Sequence, residues 1–287
     1  MSKIGYLGPV GTYSEIACRE YEYRNTQTGF VRTPKSTFFD IFEALQSNEL
    51  DYAIVPIENS IQGAVTLPID LMIKHPNLHI VSEVVIPIKN ELLALPDCDP
   101  KSIETILSHE QPLAQCHDKL HLLFPNAALV PINSTASGVM KLTTENAMFS
   151  DDRLKTAIIG HAQLAKTHGL KILVDSMNDF PNNQTRFWVL SKSDTSPTGN
   201  DKTSLVFTLE KDRSGGLSQV LTTYSERKIN LTQISSRPSK TALGEYVFWI
   251  DIEGHQKDPK VAEALASTQQ QSGYFRCLGS YERDPLC

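Results

Sequence analysis

The chain has 287 residues, about two domains at roughly 150 residues per domain, so a single small module is excluded. Hydrophobic residues make up 40% and charged residues 21%, an ordinary globular composition that excludes collagenous and disordered chains. The net charge of −6 provides no basic field for a nucleic acid or an anionic membrane surface, so neither partner is expected.

Strand and helix patterns alternate through the first two thirds of the chain and predict an α/β sheet. Apolar residues within 38–45 recur at i, i+3, i+4 and i+7, which predicts a helix with one stripe packed on that sheet. The predicted strands are short apolar runs at 3–7, 51–56, 79–87, 103–108, 128–132 and 156–160.

The first predicted turn, residues 8–14, ends a strand and opens a helix. Thr12 is the predicted N-cap, and Glu15 three residues later completes a capping box. Free amides at a helix N-terminus attract a carboxylate or a phosphate, although a plain capped turn has the same pattern. The glycine spacing differs from that of a dinucleotide-binding loop.

Polar residues also follow several other predicted strands. Because the carboxyl ends of parallel strands line one crevice, we expect these side chains to converge. Neutral hydroxyls and amides in a crevice suit a small anionic ligand. Residues 183–190 place Thr185 and Arg186 at the mouth of a further strand. The other candidates are Glu58, Asn59, Ser60, Ser108, His109, Gln115, Ser134 and Thr135.

A polar stretch at 193–202 predicts a linker, and the pattern beyond it changes. The order becomes strand, helix, strand, strand, helix, strand, which is the βαββαβ order of a ferredoxin-like domain. The first of these helices, 216–227, has one apolar face for an antiparallel sheet. That fold leaves a sheet edge free for dimer pairing.

The five cysteines are odd in number and scattered, with no C-x-x-C pair, so neither a disulfide framework nor a metal site is expected. Early glycine and proline at residues 5–9 interrupt any secretory signal, which indicates a cytoplasmic protein. Residues 120–140 are the longest stretch without charged residues. They contain prolines as well as polar residues, so they cannot span a bilayer as a helix.

Five ordered segments resemble prephenate dehydratase: GPVGTYS at 8–14, VPIENSIQGAV at 55–65, SHEQPLAQC at 108–116, STA at 134–136 and NQTRF at 183–187. GGLS at 215–218, NLTQISSRP at 230–238 and YVFW at 246–249 resemble the ACT regulatory domain. The resemblance covers nearly the whole chain. It implies a dehydratase region at 1–192, a linker at 193–202 and an ACT domain at 203–287. Because the chain begins at the first catalytic strand, we expect no fused chorismate mutase domain.

The resemblance implies a dehydratase region of two α/β lobes, similar to type II periplasmic binding proteins, with the active site in the cleft between them. The expected lobes are about 1–80 plus 175–192, and 81–174. The implied reaction removes the ring carboxylate of prephenate as carbon dioxide and the ring hydroxyl as water, which gives phenylpyruvate for phenylalanine biosynthesis. It requires no cofactor.

The same resemblance implies roles for individual residues. Thr185 matches the essential threonine of the family and is expected to donate a hydrogen bond to the leaving oxygen. Glu58 is expected to organise the site, and His109 is an alternative proton donor with a structural cap as the competing role. Arg186 is the expected counter-ion of the dianionic substrate. The expected substrate-binding residues are Thr12, Asn59, Ser60, Ser108, Gln115, Ser134, Thr135, Arg186 and Phe187.

The ACT resemblance implies that phenylalanine binds at a subunit interface and inhibits the enzyme, and that the protein is a homodimer or homotetramer. The expected effector residues are Gly215, Gly216, Leu217, Ser218, Asn230, Leu231, Ser236, Arg237 and Pro238. Two alternatives stay open. One is an arogenate dehydratase, and the other is a non-catalytic amino-acid sensor with the same two modules.

Overall fold

The computed structural model describes residues 1–25, 29–132, 135–144, 150–210, 213–239 and 246–286. The chain forms two compact units. Unit 1 comprises Met1–Leu7, Ala17–Val85 and Arg186–Cys287, and unit 2 comprises Gly8–Ile16 and Ile86–Thr185.

The secondary structure confirms the α/β class and the C-terminal βαββαβ order. The strands are β1 Ser2–Leu7, β2 Phe30–Lys35, β3 Tyr52–Asn59, β4 Gly63–Ala64, β5 His79–Pro87, β6 Glu91–Ala94, β7 Thr105–Ser108, β8 Ala128–Pro131, β9 Thr156–Gly160, β10 Lys171–Val174, β11 Gln184–Ser191, β12 Asp201–Leu209, β13 Leu231–Pro238, β14 Tyr246–Glu253 and β15 Ser272–Glu282. The helices are α1 Tyr13–Arg24, α2 Phe38–Gln46, α3 Thr66–Lys74, α4 Glu110–Gln115, α5 His117–Leu123, α6 Thr135–Thr143, α7 Ser150–Leu154, α8 Ala162–His168, α9 Gly216–Glu226 and α10 Pro259–Gln270. Within the described ranges, every helix is too short or too polar to cross a membrane.

The first sheet has the strand order β2-β1-β3-β11-β5, with β4 paired to β3. Helix α2 packs on it because its periodic stripe buries Ile41, Phe42 and Leu45. A capping box fixes where α2 begins: the Thr37 hydroxyl accepts from the Asp40 amide at 3.1 Å, and the Asp40 carboxylate accepts from the Thr37 amide at 3.0 Å. The helix predicted over 38–45 is therefore confirmed.

The second sheet belongs to unit 2 and has the order β10-β6-β9-β7-β8. Strand β9 is its centre, and all five of its residues are buried. The strand β7 pairs in parallel with both β8 and β9, so the carboxyl ends of these strands lie at one edge of the sheet. This edge carries Ser108, at the end of β7.

The third sheet has the antiparallel order β13-β14-β12-β15. Helices α9 and α10 cover one face of this sheet and bury Tyr224 and Val261 against Phe207. The other face packs into the core of the first sheet within unit 1. The rings of Trp188 on β11 and Trp249 on β14 meet edge to face, with centroids 5.4 Å apart.

Gly279 on β15 permits the close approach of these two sheets. Its φ is +149°, and a Cβ atom there would lie 2.3 Å from the carbonyl oxygen of Ile80. We expect Gly279→Ala to lower the free energy of unfolding by about 2–4 kcal/mol, because overpacking and backbone strain add. Gly169→Ala is the control. Its φ is +65°, and no described residue lies within 4 Å of a Cβ atom placed there. Urea unfolding that shows equal losses for both variants contradicts the close-approach explanation.

Candidate functional site

Four buried amide side chains form an amide cluster in unit 2: Asn90, Gln115, Asn178 and Asn183. The Gln115 carbonyl oxygen accepts from the Nδ2 atoms of Asn90 at 3.2 Å and of Asn183 at 3.1 Å. The Asn178 side-chain oxygen accepts from the Asn90 backbone amide at 2.7 Å. Each amide is thereby held in a defined orientation.

Backbone hydrogen bonds tie the three segments of the amide cluster together. The amide of Met177 donates to the Asn90 carbonyl at 2.6 Å, and the amide of Ile88 donates to the Asn183 carbonyl at 2.8 Å. The amide of Asp179 donates to the Gln115 carbonyl at 2.9 Å. Residues from 88 to 183 thus meet at one place in the fold.

The amide cluster presents two buried donors without acceptors. The Nε2 atom of Gln115 and the Nδ2 atom of Asn178 have no hydrogen-bond partner in the described part of the chain. A buried, unpaired N–H group costs about 1–3 kcal/mol, a cost that is removed when a ligand oxygen accepts from it. The cluster is therefore suited to binding an oxygen-rich acceptor such as a carboxylate.

Thr185 lies two residues beyond Asn183 of the amide cluster. It is the second residue of β11 and is 9% exposed. Two residues of extended chain span at most about 7 Å, so the chain itself holds the Thr185 backbone close to the cluster. Thr185 thus follows closely after Asn183, whose side chain donates to Gln115, another of the predicted site residues.

Two other predicted residues of unit 2 make local hydrogen bonds. The Ser108 hydroxyl is fully buried and donates to the Ile159 carbonyl at 3.0 Å. His109 is exposed and caps α4, with its Nδ1 atom accepting from the Gln111 amide at 3.4 Å. His109 thus has the structural role of a helix cap, which was the predicted alternative to the role of proton donor. Thr135 is the first residue of α6, and Ser134 lies outside the described residues.

The first turn differs in one respect from the predicted capping box. Helix α1 begins directly after Thr12, but the Glu15 carboxylate accepts from the Gly11 amide at 2.7 Å, one residue before the predicted N-cap. The Gly11 amide is therefore occupied and is not one of the free anion-binding donors that the sequence predicts. The Tyr13 hydroxyl donates to the Lys89 carbonyl at 2.7 Å, which ties this turn to the segment before the amide cluster.

His161 packs against the first turn. Its Nε2 atom donates to the Gly11 carbonyl at 2.9 Å, and its ring contacts Tyr13 at a centroid distance of 5.1 Å. Burial lowers the pKa of His161, against the opposing effects of the Gly11 hydrogen bond and the Glu15 charge.

The lowered pKa of His161 predicts a loss of stability in acid. The unfolded chain, with an ordinary histidine pKa of about 6.5, takes up the proton first as the pH falls, so stability is present above that pKa and is lost below it. We expect His161→Gln, which keeps an amide donor for the Gly11 carbonyl, to lose less stability than the wild type between about pH 6.5 and pH 5. Denaturant midpoints across this range measure the effect, and parallel curves for the two proteins contradict it.

In unit 1 the predicted residues Glu58, Asn59 and Ser60 lie at the turn between β3 and β4. The Asn59 side-chain oxygen accepts from the amides of Ile61 and Gln62, each at 3.0 Å, so it shapes the turn. Asn59 is 5% exposed, Ser60 is exposed, and Glu58 is half-buried.

Arg186 is surrounded by acidic groups of unit 1. Its guanidinium lies 2.6 Å from an Asp251 oxygen, 3.3 Å from Glu83 and 3.2 Å from Glu58. Burial lowers the pKa of Arg186, but the charge of Asp251, together with Tyr281 and the two glutamates, raises it more, so the net shift is upward. Three carboxylates of unit 1 thus lie around its charge, while its Nε and Nη2 atoms have no hydrogen-bond partner in the described part of the chain. The role of substrate counter-ion stays a prediction. Phe187, the next residue, is buried with 1% exposure.

The predicted effector residues of the third sheet fall in two places. Gly215 adopts φ +80° before α9, and Gly216 lines a cavity of about 380 Å³ whose other residues are Leu209, Glu210, Arg213, Gln219, Gln270 and Gln271. The second group lies on or beside the edge strand β13, whose residues alternate between half-buried and exposed. Arg237 of this group pairs with Asp70 of α3. Asn230 lines a different cavity, of about 280 Å³.

The prephenate dehydratase family model matches residues 4–195, and the ACT domain model matches residues 203–268. This chain belongs to the prephenate dehydratase family. The membership predicted from the sequence motifs is thereby confirmed.

The similarity extends over almost the whole chain. The chain is 35% identical to the bifunctional chorismate mutase/prephenate dehydratase of Aquifex aeolicus, over 98% of this chain and 74% of that protein. It is 35% identical to the prephenate dehydratase of Methanocaldococcus jannaschii, over 96% of each. The solved structure of the Arthrobacter aurescens prephenate dehydratase in complex with L-Phe superposes with a TM-score of 0.86 at 35% identity, covering 98% of this chain and 90% of that one.

Sequence reasoning missed two members of the amide cluster, Asn90 and Asn178. Asn90 follows the end of β5 by three residues, so the polar strand-end signal used for the other candidates could have found it. Asn178 lies in an irregular segment between β10 and β11 and carries no local signal. Only the fold brings it to Asn90.

Proposed function

We propose that this protein catalyses the decarboxylating dehydration of prephenate to phenylpyruvate, carbon dioxide and water, a step of phenylalanine biosynthesis. The observation that carries the proposal is the amide cluster next to Thr185, in a chain that belongs to the prephenate dehydratase family. Prephenate is a dianion with two carboxylates and one ring hydroxyl, and the cluster supplies neutral donors for such oxygens.

In the proposed reaction the electrons of the bond to the ring carboxylate enter the ring as carbon dioxide departs. The ring becomes aromatic and expels the hydroxyl group, which takes up one proton and leaves as water. Thr185 donates a hydrogen bond to this oxygen, because negative charge develops there as the carbon–oxygen bond breaks. A threonine hydroxyl is too weakly acidic to give up its proton permanently. A second donor therefore supplies the proton, either by way of the Thr185 hydroxyl or directly to the leaving oxygen.

The unpaired donors of Gln115 and Asn178 are proposed to bind a carboxylate of the substrate. Neutral donors suit this task, since a strong positive charge on the ring carboxylate would oppose its loss as carbon dioxide. The family motifs at 8–14 and 55–65 also support four proposed site residues: Thr12, Glu58, Asn59 and Ser60. Ser108, whose hydroxyl donates to a backbone carbonyl, is proposed to shape the β7 end of the site.

The direct test is to incubate the purified protein with prephenate or with arogenate and to identify the product. We expect phenylpyruvate from prephenate at a higher kcat/KM than phenylalanine from arogenate. The reverse preference identifies an arogenate dehydratase. The absence of both products supports the non-catalytic sensor instead.

We further propose that phenylalanine binds the ACT domain and inhibits the reaction, and that the protein is a homodimer or homotetramer. The ACT match and the two effector motifs support this proposal. Inhibition requires phenylalanine to prefer one state of the protein over another. Calorimetric titration with phenylalanine, paired with activity measurements and light scattering, tests both parts. Absence of heat together with unchanged activity contradicts the regulatory part.

The proposed division of the chain is a dehydratase region at 1–192, a linker at 193–202 and an ACT domain at 203–287, although the last two residues of this linker, Asp201 and Lys202, already belong to β12. The ranges of the two family matches support this division. We propose a cytoplasmic location. Among the described cysteines, Cys98, Cys116 and Cys277 are free thiols, in keeping with a reducing compartment.

A further inference from the structure

Four charged side chains form a buried ion cluster within unit 1: Glu83, Arg186, Lys202 and Asp251. Lys202 on β12 donates to both Glu83 oxygens, at 2.9 and 3.0 Å. Arg186 on β11 donates to Asp251 on β14 at 2.6 Å and to Glu83 at 3.3 Å. The ion cluster thus joins the first sheet to the third sheet, β13-β14-β12-β15, which belongs to the ACT domain and is called the ACT sheet below.

The ion cluster is electrically balanced, with two acids and two bases. Their side chains are 8% exposed or less. Glu58 approaches Arg186 to 3.2 Å, but its side chain is 30% exposed and can be solvated. Arg186 therefore has two buried partners, Asp251 on the ACT side and Glu83 on β5 of the first sheet, and a weaker, partly exposed partner in Glu58.

Among the partners of Arg186, Asp251 is held in place by hydrogen bonds from the ACT sheet. One of its oxygens accepts from the Trp249 indole at 2.8 Å and from the Ser204 hydroxyl at 2.6 Å, both within the ACT sheet. The second oxygen accepts from Arg186. The Arg186 guanidinium also lies 5.4 Å from the centre of the Trp249 ring. The ACT sheet thus sets where the guanidinium is held.

Arg186 is connected to two predicted catalytic positions. It directly follows Thr185 in β11, and its partner Glu58 directly precedes Asn59 at the end of β3. Because the Arg186 guanidinium pairs with Glu58, a movement of the guanidinium would change the position of the Glu58 carboxylate. A displacement of about 1 Å at a reacting group can reduce a rate by about 10²-fold.

We propose that Asp251 of the ACT sheet is a positioning residue for the dehydratase reaction, because it holds Arg186 and thereby sets the position of the Glu58 carboxylate. This inference rests on the proposed function. Under it the ACT sheet takes part in the dehydratase geometry even when no effector is bound.

The test begins with Asp251→Asn in the full-length protein. The amide keeps an oxygen for Trp249 and Ser204 but turns a donor toward Arg186, which then moves to Glu58 and Glu83. We expect kcat for prephenate to fall by about 10²-fold, while KM changes by less than about threefold, because geometry and not ground-state binding is altered.

A second substitution separates positioning from simple destabilisation. In Asp251→Asn the ion cluster carries one excess positive charge, and adding Lys202→Met removes that charge without restoring the carboxylate that holds Arg186. We expect the double variant to regain Tm but to keep the low kcat. Recovery of kcat together with Tm, or a wild-type kcat in Asp251→Asn alone, overturns the proposal.

Arg276→Gln provides a matched control. Arg276 on β15 also joins the ACT sheet to the first part of the chain, donating to the carbonyls of His75 and Leu78 at 3.0 and 2.7 Å, but it does not contact the ion cluster. We expect it to lower Tm and leave kcat unchanged, and an equal loss of kcat contradicts a specific role for Asp251. A wild-type protein without dehydratase activity instead refutes the proposed function itself.

Discussion

Thr185→Val is expected to lower kcat for prephenate by about 10²–10⁴-fold with a much smaller change in KM, because a positioned proton donor acts mainly in the transition state. Valine keeps the branched shape of threonine and removes only the hydroxyl, so the packing of this 9% exposed residue is retained. Steady-state kinetics on the purified variant, with its folding checked by Tm, measure the effect.

Thr185→Ser is the matched control, since it keeps the hydroxyl and removes a methyl group. We expect it to retain most of the wild-type kcat. If the valine variant turns over prephenate as fast as the serine variant, the hydroxyl plays no part in the departure of the ring oxygen. A large increase in KM with unchanged kcat would instead assign Thr185 to substrate binding.

Arg186→Met is expected to cost about 3–5 kcal/mol of unfolding free energy, because it leaves the buried acids Asp251 and Glu83 with one base instead of two. Methionine retains much of the apolar stem, so the loss reports mainly on the uncompensated charge. Urea unfolding with constant m-values measures it.

Arg32→Met is the control for this measurement. Arg32 pairs with Glu22 at 2.5 Å, but these side chains are 32% and 30% exposed. A pair at such a surface contributes about 0–1 kcal/mol, since water screens both charges. Equal losses for the two variants would show that burial of the ion cluster has no energetic consequence.

Much of the fold follows from local patterns. The apolar stripe over 38–45 and the capping residues before it specify α2, and the βαββαβ order of the ACT region can be read from the chain. Edge strands are harder to predict from the sequence. β2 contains Pro34 and two basic residues, a composition that edge strands tolerate but that gives no period-2 signal.

The candidate site was predicted only in part. Gln115 was found because it belongs to a polar segment after a strand, and it lies at the centre of the amide cluster. The family resemblance and the bidentate geometry of arginine predict that Arg186 is the counter-ion of the substrate, and nothing in the local sequence predicts its burial. Its burial results from Asp251 and Trp249, about 65 residues further along the chain, which no local pattern relates to β11.

The sequence by itself determined the family, the α/β class, the order of helices and strands in the ACT region, and the segments from which site residues come. These properties depend on residue spacing and turn chemistry, which act over a few residues. The tertiary structure alone decided which polar groups are paired and which are left for a ligand. It placed Arg186 among three acids, and it left one donor each on Gln115 and Asn178 without a partner among the residues that the structure describes. The physical reason is that the pairing of a buried polar group depends on which distant segment packs against it.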